Sequence, residues 1–109
     1  MAVRMTKPWL SVAEAQGLLR GNLGVFQLAD EQEVVQFIGY AGGHSLFGLK
    51  GEVAAALEKV ANVSRVRFEV STAYHTRYRE LLMAHQADFG ALPPANPPVT
   101  FTLGKMSPA

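Results

Sequence analysis

Two runs of strand-forming residues, Gly24-Val-Phe-Gln-Leu-Ala29 and Val34-Val-Gln-Phe-Ile-Gly-Tyr40, flank four polar residues, Asp30-Glu-Gln-Glu33. A connection that short directs the two segments to pair as an antiparallel β-hairpin. Two strands alone are marginal in water, so the remaining chain must cover the ribbon. It has the means. Of 109 residues, 49% are hydrophobic and 17% charged, which is enough apolar matter for a core and too little charge for a disordered chain. The length corresponds to one domain over residues 1–109.

The covering elements are legible from spacing. Ser11 with Glu14 three places on forms a capping box for a helix over residues 11–20, and Gly21 and Gly24 bracket the turn after it. From Leu49 to Val60 the apolar positions Leu49, Val53, Leu57 and Val60 recur at helical spacing. Arg65-Val-Arg-Phe-Glu-Val-Ser71 alternates with period two, the pattern of a strand with one buried face. Thr72 is placed to cap a helix running to Phe89, on which Tyr74, Tyr78, Leu81, Leu82, His85 and Phe89 share a stripe, and Gly90 stops it. The segment 91–109 reads as extended, with Val99 to Leu103 as a short edge strand. The predicted class is α+β: a small, mostly antiparallel sheet of three to four strands flanked by helices.

Composition narrows the chemistry. Ten Lys and Arg against nine Asp and Glu give a net charge of +1, so any nucleic-acid contact must come from a local patch. With no cysteine there is no disulfide, thiolate metal site or cysteine nucleophile. The first residues contain no apolar core of a signal peptide, which makes a cytoplasmic address the default expectation. No run approaches the roughly 18 apolar residues of a spanning helix.

Gly24-Val25-Phe26 and, after ten intervening residues, Phe37-Ile38-Gly39 lie on the two halves of the hairpin. Their spacing and placement resemble the two signature triplets of the GIY-YIG nuclease family. The order of the later elements is similar as well: loop and helix, third strand, then a helix with Glu80, and Asn96 in a proline-bearing segment. The resemblance covers about residues 22–97. It implies a single-metal phosphodiesterase acting on DNA or RNA, with a tyrosine hydroxyl helping to activate water, an arginine steadying phosphate, and Glu80 holding a cation such as Mg²⁺. This chain departs from that pattern at its centre. Phe26 and Phe37 stand where the family carries tyrosine, and Gly21 to Ser64 contains no arginine, leaving Lys50 as the nearest cation. Lysine lacks the planar fork that grips phosphate. Tyr40 falls on the opposite strand face from Phe37.

The residues themselves leave further readings open. On its helix Glu80 lies about 150° from the centre of the apolar stripe, the position of a solvated carboxylate. Gly39 to Gly43 lacks the ending of a phosphate-binding P-loop and reads as a plain loop needing positive φ. His44 in that loop is a polar residue able to act as acid or base. His75 and His85 are about 80° apart on their helix, a poor arrangement for one metal. Arg65 and Arg67 on one strand face, with Arg77 and Arg79 on the exposed side of the next helix, form a candidate nucleic-acid surface, diluted by Glu69, Glu80 and Asp88. Trp9, Leu46 and Phe47 are expected to pack under the sheet. The expectation is therefore a degenerate nuclease-like domain that binds nucleic acid or a phosphate-bearing ligand. Its rivals are an active phosphodiesterase using His44 or Tyr40, and an interaction module dimerising through Phe47 or the 99–103 strand.

Overall fold

The computed structural model describes residues 4–97. They form an α+β fold in which a four-stranded antiparallel sheet carries helices on both faces. The elements are β1 (Leu10–Ser11), α1 (Val12–Leu18), β2 (Gly24–Ala29), β3 (Val35–Ala41), α2 (Gly48–Lys59), β4 (Arg65–Val70) and α3 (Tyr74–Phe89), with strand order β1-β4-β2-β3. The strand expected over 99–103 lies outside the described residues.

The hairpin β2–β3 forms as its sequence directs. Asp30 closes the turn, its Oδ1 accepting the amides of Gln32 (3.0 Å) and Val34 (2.9 Å), while Glu33 takes a positive φ of 62°. Phe26 pairs with Gly39 and Leu28 with Phe37, but Ala29 pairs with Val35, which leaves Gln36 as a bulge. That extra residue reverses the alternation at the strand's start. Phe37 packs on the α1–α2 side, whereas Val35 joins Ile38 on the α3 side.

β4 lies on the other flank of β2, so α2 crosses the sheet between them. With both faces covered, all six β2 residues are buried. One core comprises Phe26, Leu28, Leu49, Val53 and Val66 with Ala15 and Leu19 of the α1 region; the other comprises Met5, Val25, Ile38, Leu81 and Leu82.

Several expectations need correction. α1 is shorter than 11–20, although its capping box is present, and Thr72 caps nothing, because α3 starts after Ala73 without a side-chain cap. The two-residue β1 carried no periodic signal; it exists by pairing with Val66 and Arg65. Leu46 and Phe47 do not pack under the sheet; they are 91% and 71% exposed. The space beneath α2 is filled by Phe26, Leu28, Leu49 and Val53, and the loop before α2 projects beyond it. Phe89, at the end of the α3 stripe, is likewise exposed.

The capping box makes α1 sensitive to acid. Glu14 accepts the Ser11 amide (2.9 Å), and that bond lowers its pKa from the ordinary 4.5. A depressed carboxylate contributes stability that is complete above its unfolded value and lost as pH falls through the folded one. The protection of α1 amides, taken relative to their intrinsic exchange rate at each pH, is therefore expected to fall as pH drops below about 4.5. Glu14→Gln is expected to flatten this local pH dependence; an unchanged profile in the variant would exclude the mechanism.

Candidate functional site

A cavity of about 470 Å³ opens beside β3, the strand at the end of the sheet. Such a concavity is where a ligand site is first sought. Both hairpin triplets reach it: Phe26, Phe37 and Gly39 line it on one side of the strand, and Tyr40 on the other. The Phe26 and Phe37 ring centroids are 6.0 Å apart. Gly39 is required by this packing, because a Cβ there would collide with the Phe26 ring.

The α3 wall is aromatic. Tyr40 stacks on Tyr74 (centroids 5.9 Å, planes 11° apart) and contacts Tyr78 at 4.8 Å and His75 at 5.2 Å. The chain has three tyrosines, and all meet here. Burial, assisted by neighbouring Tyr40, raises the Tyr78 pKa, so its hydroxyl stays protonated at neutral pH.

The α2 wall supplies Glu52, Ala55, Ala56 and Lys59. Sequence reasoning did not select Glu52, Lys59 or His75. The signal was present in the spacing: Glu52 and Lys59 lie seven apart on α2, and His75 precedes Tyr78 by three on α3, so each pair shares a helix face.

The glycine loop closes one end. Gly42 donates to Ser45 Oγ (3.1 Å), Gly43 to Tyr74 Oη (3.2 Å), and Ser45 Oγ donates to Glu52 Oε2 (2.8 Å). Its amides are thus engaged within the protein rather than arrayed as an anion cradle. Neither Gly42 nor Gly43 has positive φ, contrary to expectation; Gly42 is needed because a Cβ would meet the Tyr74 ring at 2.6 Å. His44 lines the cavity from this loop.

Asn96 closes the other end. Its carboxamide accepts the Ile38 amide (2.8 Å) and donates to the Ile38 carbonyl (2.9 Å), while the Ala95 amide donates to the Gln36 carbonyl (2.9 Å). One side chain thereby satisfies a rung of β3 that no neighbouring strand pairs.

The remaining sequence candidates lie elsewhere. Glu80 is not among the cavity's lining residues; its carboxylate accepts Arg77 Nη1 at 2.8 Å. Arg77 also donates to Glu69 (2.8 and 3.2 Å), and these carboxylates, Glu69 foremost, raise its pKa. Arg77 is therefore half-buried between two acids rather than on an open basic face. Among the described residues no three His, Asp or Glu side chains converge to hold a metal ion. This donor set does not fit the divalent cation that the resemblance implies at Glu80. Lys50 is exposed on α2 and outside the cavity lining.

The four arginines of the candidate surface have different partners. Arg65 donates to the Ser64 carbonyl (3.3 Å), Arg67 binds Gln27 beneath Trp9, Arg77 bridges two acids, and Arg79 is exposed on α3. No helix among the described residues is long and apolar enough to cross a membrane. No protein-family model matches the chain, and no curated protein matches it.

Proposed function

We propose that this is a nuclease-like domain that binds a single-stranded nucleic acid in the β3-edge cavity without cleaving it. The observation that carries the reading is the convergence of both signature triplets on one cavity walled by all three tyrosines. Bases stack on aromatic rings whatever their sequence, and Tyr40, the most open of the three, can extend the Tyr40–Tyr74 stack to a base. Lys59, His44 and His75 supply the cationic or donor groups for the backbone.

The non-hydrolytic half rests on the same site. Phe26 and Phe37 have no hydroxyl with which to move a proton, and Glu80 is engaged by Arg77. An active phosphodiesterase would have to work through Tyr40 or His44, with Glu52 as the carboxylate lining the cavity.

Fluorescence anisotropy with single-stranded oligonucleotides tests the binding. Tyr40→Ala is expected to weaken it by about tenfold, since stacking contributes about 1–3 kcal/mol per base. Raising salt is expected to weaken it further. No nicking of single- or double-stranded DNA or RNA is expected with Mg²⁺ or Mn²⁺. Absence of oligonucleotide binding at low salt refutes the binding role, and turnover lost in Glu80→Ala or Glu52→Ala refutes the non-hydrolytic one.

The exposed pair Leu46 and Phe47 favours a second reading, a self-associating interaction module. A dimer that dissociates in Phe47→Ser, in a protein that ignores oligonucleotides, would select it.

A further inference from the structure

On the face of the sheet covered by α3, Arg67 is held in an unusual way. Its Nε–H donates to Gln27 Oε1 at 2.6 Å, and its guanidinium carbon lies 4.1 Å from the Trp9 ring centroid. Gln27 is 5% exposed in the central strand, a costly place for an amide unless it makes a hydrogen bond. The two contacts fix the plane of the fork and engage one of its five N–H donors. Among the described residues Arg67 forms no ion pair. A half-buried arginine ordinarily has an acidic partner.

Arg67 borders a small cleft of about 80 Å³ with an otherwise half-apolar lining, whose other polar members are Gln27, Arg4, His85 and Asp88. Asp88 is already neutralised: Arg4 Nε donates to it at 2.8 Å, and that bond lowers the Asp88 pKa. Glu33, in the hairpin turn, acts on Arg67 through space without contacting it, while burial lowers the Arg67 pKa. Arg4 and Asp88 offset one another, so Arg67 leaves the polar groups of the cleft with a net positive charge.

We propose that Arg67 is the centre of an anion site for a phosphate group, held two oxygens at a time by the Nη donors. Size limits the ligand. At about 80 Å³ the cleft admits a small ion or one terminal group and not a larger ligand. That accommodates inorganic phosphate or the terminal phosphate of a phosphomonoester whose remainder extends into solvent. The cleft shares no lining residue with the β3-edge cavity and does not depend on the reading given to that cavity.

Phosphate titration of the intact chain against chloride at equal ionic strength tests the site. Phosphate at tenfold above its binding midpoint is expected to raise the Tm by about 5 °C. Arg67→Lys keeps the charge but removes the fork, and is expected to abolish most of that shift. In the wild-type chain, the NMR resonances of Arg67 Nε–H and the Trp9 indole N–H are expected to move with phosphate. A 5′-phosphorylated oligonucleotide that moves them where its 5′-hydroxyl counterpart does not assigns the site to terminal phosphates; response to inorganic phosphate alone assigns it to the free ion. Equal Tm shifts in wild type and Arg67→Lys overturn the proposal. Should that variant fail to fold, an Arg67 Nε–H resonance unmoved by phosphate in the wild type overturns it equally.

Discussion

Gly24→Ala is expected to destabilise the protein by about 3 kcal/mol, at the upper end of what overpacking usually costs. Gly24 begins the central strand, paired with Val70 of β4 and Ala41 of β3. A Cβ there would collide with the Glu69 carbonyl oxygen, and backbone on both flanks blocks retreat. Gly17 is the internal control. It sits in α1 with nothing within 4 Å of a built Cβ. Gly17→Ala is expected to stabilise by about 0.5–1 kcal/mol through the ordinary helix preference for alanine. Urea denaturation of both variants measures the contrast, and equal effects would refute the packing account of Gly24.

Phe26→Ala is expected to cost about 4 kcal/mol, the loss typical of removing a fully buried phenyl group. The more telling result concerns Gly39. Gly39→Ala in the wild-type background drives a methyl into the Phe26 ring, with the Phe37 ring 2.9 Å away on its other flank. In the Phe26→Ala background the main obstacle is gone. A double-mutant cycle is expected to show coupling of about 1–3 kcal/mol, with Gly39→Ala less harmful once Phe26 is removed. Additive costs would mean that Gly39 serves another purpose than making room for that ring.

These two glycines show why the two hairpin triplets were legible as a pattern while their purpose was not. The distance between Gly24 and Gly39 along the chain can be read directly, and so can a hairpin between them. What each glycine accommodates is set by a neighbour from elsewhere: Glu69 of β4 for Gly24, and a ring facing across the hairpin for Gly39. Tyr40 behaved as strand alternation requires, projecting to the α3 side away from Phe37. The bulge at Gln36 had no such warning, because Val34 and Val35 suit either register. Glu80 reads from helical phase as a residue off the buried stripe, and it does lie off it. Its actual partner, Arg77, is set three residues earlier on the same face.

Local sequence alone determined the hairpin, the amphipathic α2, the Ser11–Glu14 box and the left-handed stop at Gly90, because each depends on residues within a turn or two of one another. The polar face of β4 was decided only in three dimensions. By its own alternation Arg65, Arg67 and Glu69 belong in water, yet α3 and Trp9 cover that side. It tolerates cover because two other elements supply partners, Gln27 a hydrogen bond to Arg67 and Arg77 an ion pair to Glu69. The cavity at β3 arose in the same manner. Its tyrosines, Glu52, Lys59 and Asn96 come from four separate segments, and only the packing of α2 and α3 against opposite faces of one edge strand brings them together.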